Sequence, residues 1–555
     1  MSLLQTAAHA GAQTEALRDI SVGNVHQLQL AFSFRINDAG AESSAPAGAE
    51  GLLFVLGSFP HRLWAIDPSA SPERRVRWHY APTADRSAEG LSCCDHAGHG
   101  PVVAKGRVFF TTLDGRLVAL DAATGALLFD VPVANPKEGE TLAGAPLVAE
   151  GRVFVGNAGD DFGVRGWIAA LDADSGKLFW KRYSTGPDLD VGIGPDFKPF
   201  YASLRGTDLG TSTWPPAAWQ QGGGSVAGTL LYDKNTRALF HGTGHPAPWN
   251  AAQREGDNRW TSGVFARDAA NGSARWFAGF NRHDPFVYRD AGSDVLMDAM
   301  WQGRERGLLV HPDANGMLYV VDRQSGQILA ADPVAQSAVA GFDTANGETR
   351  YAPSKSVKVN QQTRHICPAW TGAFSSGASV LEGLVVLPVS RLCMDLEPRP
   401  ANYIQGTPYT GANVRLLLDH ADAGAVIGWN VAARKSSWES AEQWPVLGGT
   451  LTTESGLVFY GTLDGRVKAL DGRNGKLLWQ FKARAGIASR PGAFRGANGQ
   501  PCISVVAGTG RLYGMSRVEA LDPRDDTAGF GLAGLLRQLP QDDDTGSALL
   551  VFCLP

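Results

Sequence analysis

Of the residue types that commonly do chemistry, cysteine stands out first. Six occur in 555 residues, and two of them, Cys93 and Cys94, are neighbours in the run GLSCCDHAGHGP. A bridge between adjacent cysteines forces a strained peptide, a feature met more often at working sites than in scaffolding. Two buried free thiols are the alternative reading, and a dithiol redox couple is a third. No Cys-x-x-Cys pair and no zinc-type spacing is present, so metal binding by thiolate is not expected. The 50 basic and 55 acidic residues give a net charge of -5, and no lysine–arginine run could track phosphates, which argues against nucleic acid as a partner. No stretch approaches the roughly 18 consecutive apolar residues that span a bilayer. The opening MSLLQTAAHAGAQTEALRD lacks a basic start followed by an apolar core. The expectation is a soluble chain with no membrane span.

The elements that must position any such site are read from internal repeats. TLDGRLVALDAATGALLF, Thr112 to Phe129, and TLDGRVKALDGRNGKLLW, Thr462 to Trp479, are one unit written twice. The Asp, Gly and aromatic of that unit recur as Asp172, Gly176 and Trp180, and again as Asp268, Gly272 and Trp276. Asp322 with Gly326 is a further copy, ending in Ala330. Looser copies lie at Asp67 with Trp78, at Tyr232 with Asp233, and at Asn430 with Trp438. Each unit reads as a hairpin: an alternating apolar strand, a turn whose glycine takes positive φ, and a second strand carrying the aromatic. Successive copies are spaced by about 50 residues, the length of a four-stranded propeller blade. The interval from Asp322 to Asn430 is about twice that and leaves room for a degenerate blade. The spacing predicts seven or eight blades, with 67 glycines to make the turns. An aromatic at a fixed repeat position packs blade on blade, so function is sought in residues that break the repeat, on loops around the central channel.

Those loops carry a resemblance. CCD at Cys93 to Asp95, GNAGDDFGVRG at Gly156 to Gly166, GTGHPAPWN at Gly242 to Asn250, GDNRWTSGVFARDAANG at Gly256 to Gly272, HPDANG at His311 to Gly316, ICPAW at Ile366 to Trp370 and CMDLEP at Cys393 to Pro398 occur in one order. Together they make the chain similar, along essentially its whole length, to the quinoprotein methanol and alcohol dehydrogenases. The resemblance implies an all-β, eight-bladed β-propeller occupying residues 1–555 as a single domain. It also implies pyrroloquinoline quinone (PQQ) with calcium or a lanthanide over the channel, beneath a Cys93–Cys94 bridge. A second bridge, Cys367 to Cys393, is implied too, while Cys502 and Cys553 are expected to be buried thiols. Bridges point to an oxidising compartment, so a periplasmic or secreted location is expected, with cytoplasmic as the alternative.

Carried over residue by residue, the resemblance implies a changed site. The aromatic floor under the quinone falls on Ala227, in GGGSVAG, and the catalytic aspartate falls on Val287, in HDPFV, which cannot accept a proton. The glutamate ligand of the metal falls on Asp161 and the asparagine ligand on His245. An imidazole suits calcium poorly, since that ion takes oxygen donors. Arg289 stands two beyond Val287, where a cation opposes a metal. The two arginines that contact the quinone in the family fall on His99 and Ala314, further contacts fall on Ala143, Ala158 and Ser390, and an acidic contact falls on Ser43 beside Glu42.

Two residues that share an ion must lie close, so Asp161 and His245 are expected within hydrogen-bond reach, with His99 and Arg289 facing them. The expectation built on these residues is an enzyme without PQQ or metal, performing acid/base chemistry on a small organic molecule. His245 and Asp161 would form its dyad, His99 a second proton carrier and Arg289 an oxyanion clamp. The alternatives are a PQQ-dependent alcohol dehydrogenase with PQQ and calcium, a non-catalytic binding propeller, and a transition metal held by His99, Asp161 and His245. His283 and Asp284 are read as structural.

Overall fold

The repeated turn is built by local chemistry. Asp121 accepts the backbone N–H and hydroxyl of Thr124 at 2.8 and 2.6 Å, and Gly125, at φ +73°, donates to the Asp121 carbonyl at 2.9 Å. Asp172 with Ser175 and Gly176, and Asp322 with Ser325 and Gly326, repeat this geometry. The carboxylate closes the turn and glycine alone enters the left-handed region without strain. The same glycines are also needed for space. A Cβ on Gly125, Gly272, Gly326 or Gly475 would fall 2.6 to 2.7 Å from the ring of Trp78, Trp180, Trp276 or Trp438, each on the preceding blade. Those indoles donate to the carbonyls of Ala122, Ala269, Arg323 and Gly472. The repeated aromatic therefore locks blade to blade and takes no part in a site.

The computed structural model describes residues 18–36, 45–91, 100–288, 293–374, 377–496, 498–508, 522, 524–540 and 547–555. Among these residues eight antiparallel four-stranded sheets follow one another along the chain. The third, for example, comprises Leu147–Ala149, Arg152–Gly156, Trp167–Asp172 and Leu178–Tyr183. The eighth is closed by the amino end: Gln29–Ile36 pairs with Ser547–Cys553, which continues through Pro501–Ala507 to Gly492–Arg495. The first strands of neighbouring sheets touch one another, so they surround the axis. Apolar layers such as Phe109, Leu117, Val153 and Trp167 fill the space between blades.

Two expectations are corrected here. Cys502 and Cys553 are not thiols: they are directly opposite on neighbouring strands of the closing sheet and form a disulfide with Cα atoms 4.2 Å apart. The Asp322 to Asn430 interval holds no additional blade among the described residues. It holds a hairpin, Val339–Asp343 with Glu348–Tyr351, and a three-stranded sheet of Thr363–Ile366, Cys393–Pro398 and Ala412–Leu417. Cys367 and Cys393 are bridged as the resemblance implied. Cys93 and Cys94 lie outside the described residues.

Because strands alternate in direction, the loops joining second to third strands emerge at the same end as those leading into each first strand. Asp161 and His245 lie on loops of the former kind, Ala143, Ala227 and Val287 on the latter. One face of the ring therefore gathers residues far apart in the chain.

Candidate functional site

Asp160 and Asp161 occupy a one-turn 3₁₀ helix, Asp160–Phe162, bracketed by Gly159 at φ +132° and Gly163 at φ +66°. Asp160 bridges to the neighbouring loop, where its two oxygens accept the backbone N–H and the hydroxyl of Ser225, both at 2.6 Å. A Cβ on Gly244 would fall 2.3 Å from the Asp160 carboxylate, so the residue before His245 must be bare for the loops to meet. Asp161 is 4 % exposed; its Oδ1 accepts the Trp249 indole N–H at 2.8 Å and its carbonyl accepts from Tyr409. Trp249 packs against Phe530 and Trp370, with centroids 5.0 and 5.7 Å away.

His245 is fully buried. Its Nδ1 lies 3.0 Å from the Pro246 carbonyl, the backbone contact open to any histidine in that loop. Since a carbonyl only accepts, Nδ1 donates to it, and Nε2 is the nitrogen that faces the carboxylates. That nitrogen makes no hydrogen bond among the described residues, yet lies 3.5 Å from Asp161 Oδ1 and 3.9 Å from Asp160 Oδ2. The fold thus brings Asp161 and His245 together as expected, but without the hydrogen bond expected of a dyad. Two carboxylate oxygens converging on that nitrogen call for positive charge at this point, supplied either by a proton on Nε2 or by a bound ion. Two donors about 2.1–2.4 Å from one ion at right angles are themselves about 3.0–3.4 Å apart, close to the spacing found. The donor set fits a cation.

The positions tied by resemblance to the quinone are small. Ala158 and Ala227 are half-buried, and Ala143 and Ala314 are buried. They leave room. The hydroxyls of Ser390, Thr371 and Thr141 are buried without partners among the described residues. Such orphans fit a polar ligand seated on this face, because a buried unpaired hydroxyl is unfavourable until something bonds it. His99 and Arg289 lie outside the described residues, as do Ser43 and Glu42. A group of three possible ligand residues among those described, His365, Cys393 and His420, lies elsewhere, and Cys393 is spent in a disulfide.

The HDPFV segment is locked from beneath. Arg254 donates from Nε to the Pro248 carbonyl, from one Nη to Asn258 and from the other to the Asp284 carbonyl, pinning the His245 loop to the Val287 loop. Asp284 accepts the backbone N–H groups of Phe286 and Tyr288 at 2.8 and 2.5 Å, the structural role expected of it. Val287 is 1 % exposed at φ +63°, a strained conformation for a β-branched residue. Burial pushes the Asp284 carboxyl up to about 6, against the lowering by those two amides, Arg254 and His245. A raised carboxyl binds its proton in the folded state while the unfolded chain has released it. Its stabilising contribution is therefore complete below about pH 4 and is lost as pH rises through 6, at up to about 1.4 kcal/mol per pH unit. Asp284→Asn is expected to flatten that segment of the stability–pH curve in denaturant titrations; an unchanged slope would show that Asp284 is ionised throughout.

The geometry can now be set beside known proteins. The family described as PQQ: Glucose/ethanol/alcohol dehydrogenase, beta-propeller domain, matches residues 6–366. The lanthanide-dependent methanol dehydrogenase of Methylacidiphilum fumariolicum (strain SolV) is 35 % identical over 563 residues, covering 100 % of this chain and 92 % of that protein. Methanol dehydrogenase [cytochrome c] subunit 1 of Methylobacterium organophilum is 32 % identical, covering 97 % of this chain and 88 % of that one. Among solved structures, a europium-containing methanol dehydrogenase superposes with a TM-score of 0.93 at 36 % identity, over 97 % of this chain and 95 % of the other. These relatives overturn the expectation of a cofactor-free acid/base enzyme, because full-length similarity of this depth joins the chain to cofactor-dependent dehydrogenases. Polar groups missing at single positions do not by themselves set the affinity of the rim, because donors and charges from its other loops add to it. With its propeller, its ordered motifs and its full-length relatives, the chain belongs to the PQQ-dependent glucose/ethanol/alcohol dehydrogenase family.

Proposed function

We propose that this chain is a PQQ-dependent alcohol dehydrogenase, an oxidoreductase for a small alcohol, with an ion held by Asp161 and His245. The observation that carries the reading is the buried His245 Nε2, without a hydrogen bond among the described residues and 3.5 Å from the Asp161 carboxylate, on the face where the family's motifs converge. The quinone, when bound, would accept the two electrons released by the alcohol. The chain's own groups do the rest. Asp161, held by the Trp249 indole, and His245, held by the Pro246 carbonyl, offer an oxygen and a nitrogen to the ion. Trp249, Trp370 and Phe530 form an apolar wall that keeps water from that pair. Asp160 fixes the Ser225 segment, and with it the bare floor at Ala227. The two disulfides among the described residues support folding in an oxidising, periplasmic or secreted setting.

The test is reconstitution of the full chain with PQQ and either calcium or lanthanum, followed by removal of unbound ligand. The expected result is one quinone and one ion retained per chain, together with alcohol-dependent reduction of an artificial dye. A chain that retains neither and reduces no dye overturns the reading.

A further inference from the structure

The same face carries a cation that no resemblance assigned. Arg490 ends the loop leading from Leu477–Lys482 into the inner strand Gly492–Arg495. Its Nε donates to the carbonyl of Thr450, which immediately precedes the inner strand Leu451–Thr452, at 3.0 Å. Its stem runs beside Gly377, where a Cβ would lie 3.5 Å from Arg490 Cδ; Gly377 is two residues before the inner strand Ser379–Leu381. The side chain therefore reaches across the heads of inner strands from three successive blades. Ala488, two residues earlier, is in the core cluster that holds Trp249, Val287, Ala314 and Trp370.

The arrangement is unlike that of the fully buried arginines. Arg254 commits Nε and both Nη atoms, and Arg267 donates to His241 and to the carbonyls of Val191 and Gly272. Arg490 uses one of its five N–H groups, and among the described residues no carboxylate pairs with it. Burial pulls its pKa down to about 10, which leaves it charged at neutral pH. A half-buried guanidinium with a free fork is suited to a planar, bidentate acceptor. PQQ bears three carboxylates, and the positions where the resemblance placed arginines are His99 and Ala314.

We propose that Arg490 receives a carboxylate of the ligand seated over the channel, that of the bound quinone, and so supplies a countercharge from a position of the rim other than those two. This rests on the dehydrogenase reading. The test titrates PQQ, with calcium present, into the full chain and into Arg490→Gln and Arg490→Lys, following quenching of tryptophan fluorescence at low and high salt. Gln keeps a donor for Thr450, and circular dichroism with thermal melting checks each fold. The expected result is a Kd raised about 10- to 100-fold in Arg490→Gln, with a weaker salt dependence and partial recovery in Arg490→Lys. Equal PQQ affinity in folded Arg490→Gln overturns the proposal while leaving the dehydrogenase reading intact. Unchanged PQQ affinity with a raised KM for a carboxylate-bearing alcohol, but not an uncharged one, would assign Arg490 to an anionic substrate instead and also overturns it. Failure of the unsubstituted chain to bind PQQ sinks both readings together.

Discussion

Asp161→Asn is expected to weaken ion binding by the full chain about 100-fold or more, and alcohol-dependent dye reduction is expected to fall with it. The substitution is chosen because Asn retains an oxygen for the Trp249 indole N–H, so the aromatic wall stays in place and charge alone is removed. An ion in a buried site draws most of its affinity from ligand charge, and even outer-shell partners are worth 10- to 100-fold. His245→Asn replaces a nitrogen donor by an amide oxygen in the same loop. Hard ions such as calcium or lanthanum should then gain at least about tenfold over zinc, because imidazole favours borderline metals and amide oxygen favours hard ones. Isothermal titration of apoprotein with each ion reads both effects. Affinities that match the unsubstituted chain in both variants would remove this pair from any ion site.

The second large effect is a gain. Val287→Asp is expected to raise kcat for a primary alcohol by about 10²-fold or more, the scale of a positioned general base. The valine is fully buried at φ +63°, on the loop that Arg254 pins to that of His245. Aspartate tolerates that left-handed backbone better than a β-branched side chain, so the change relieves local strain while adding the missing proton acceptor. Burying a carboxylate opposes this, and the balance is read from the melting temperature beside the rate. A folded variant with unaltered kcat would mean that the alcohol proton leaves by a route that does not pass position 287.

Much of the architecture was legible because it is local. Asp121 with Gly125, Asp172 with Gly176 and Asp268 with Gly272 each close a turn within five residues, and the aromatic that follows has one place to go, onto the next blade's glycine. A repeat of such units has few ways to bury its faces other than by closing into a ring. The one misread interval, Asp322 to Asn430, was judged by length alone, and length does not distinguish a blade from a hairpin and a small sheet outside the ring.

The site was legible as a set of residues, not as a set of pairings. Asp161 and His245 were named from their motifs. What the motifs could not show was that Nε2 has no hydrogen bond among the described residues, that Asp160 binds Ser225, and that Trp249 grips Asp161 across 88 residues of chain. Arg490 carried no signal in its own segment, since its meaning lies in lacking a carboxylate partner among the described residues at the head of an inner strand.

The sequence by itself determined the turns, the strand alternation and the family, because each is written in spacings shorter than one blade or in runs of ordered motifs. Only the tertiary structure decided that Cys502 meets Cys553, and which buried donors and acceptors on the channel face lack partners among the described residues. The physical reason is that pairing is a property of two distant segments at once: closure of the ring sets the distances between loops, and no single loop encodes what stands opposite it.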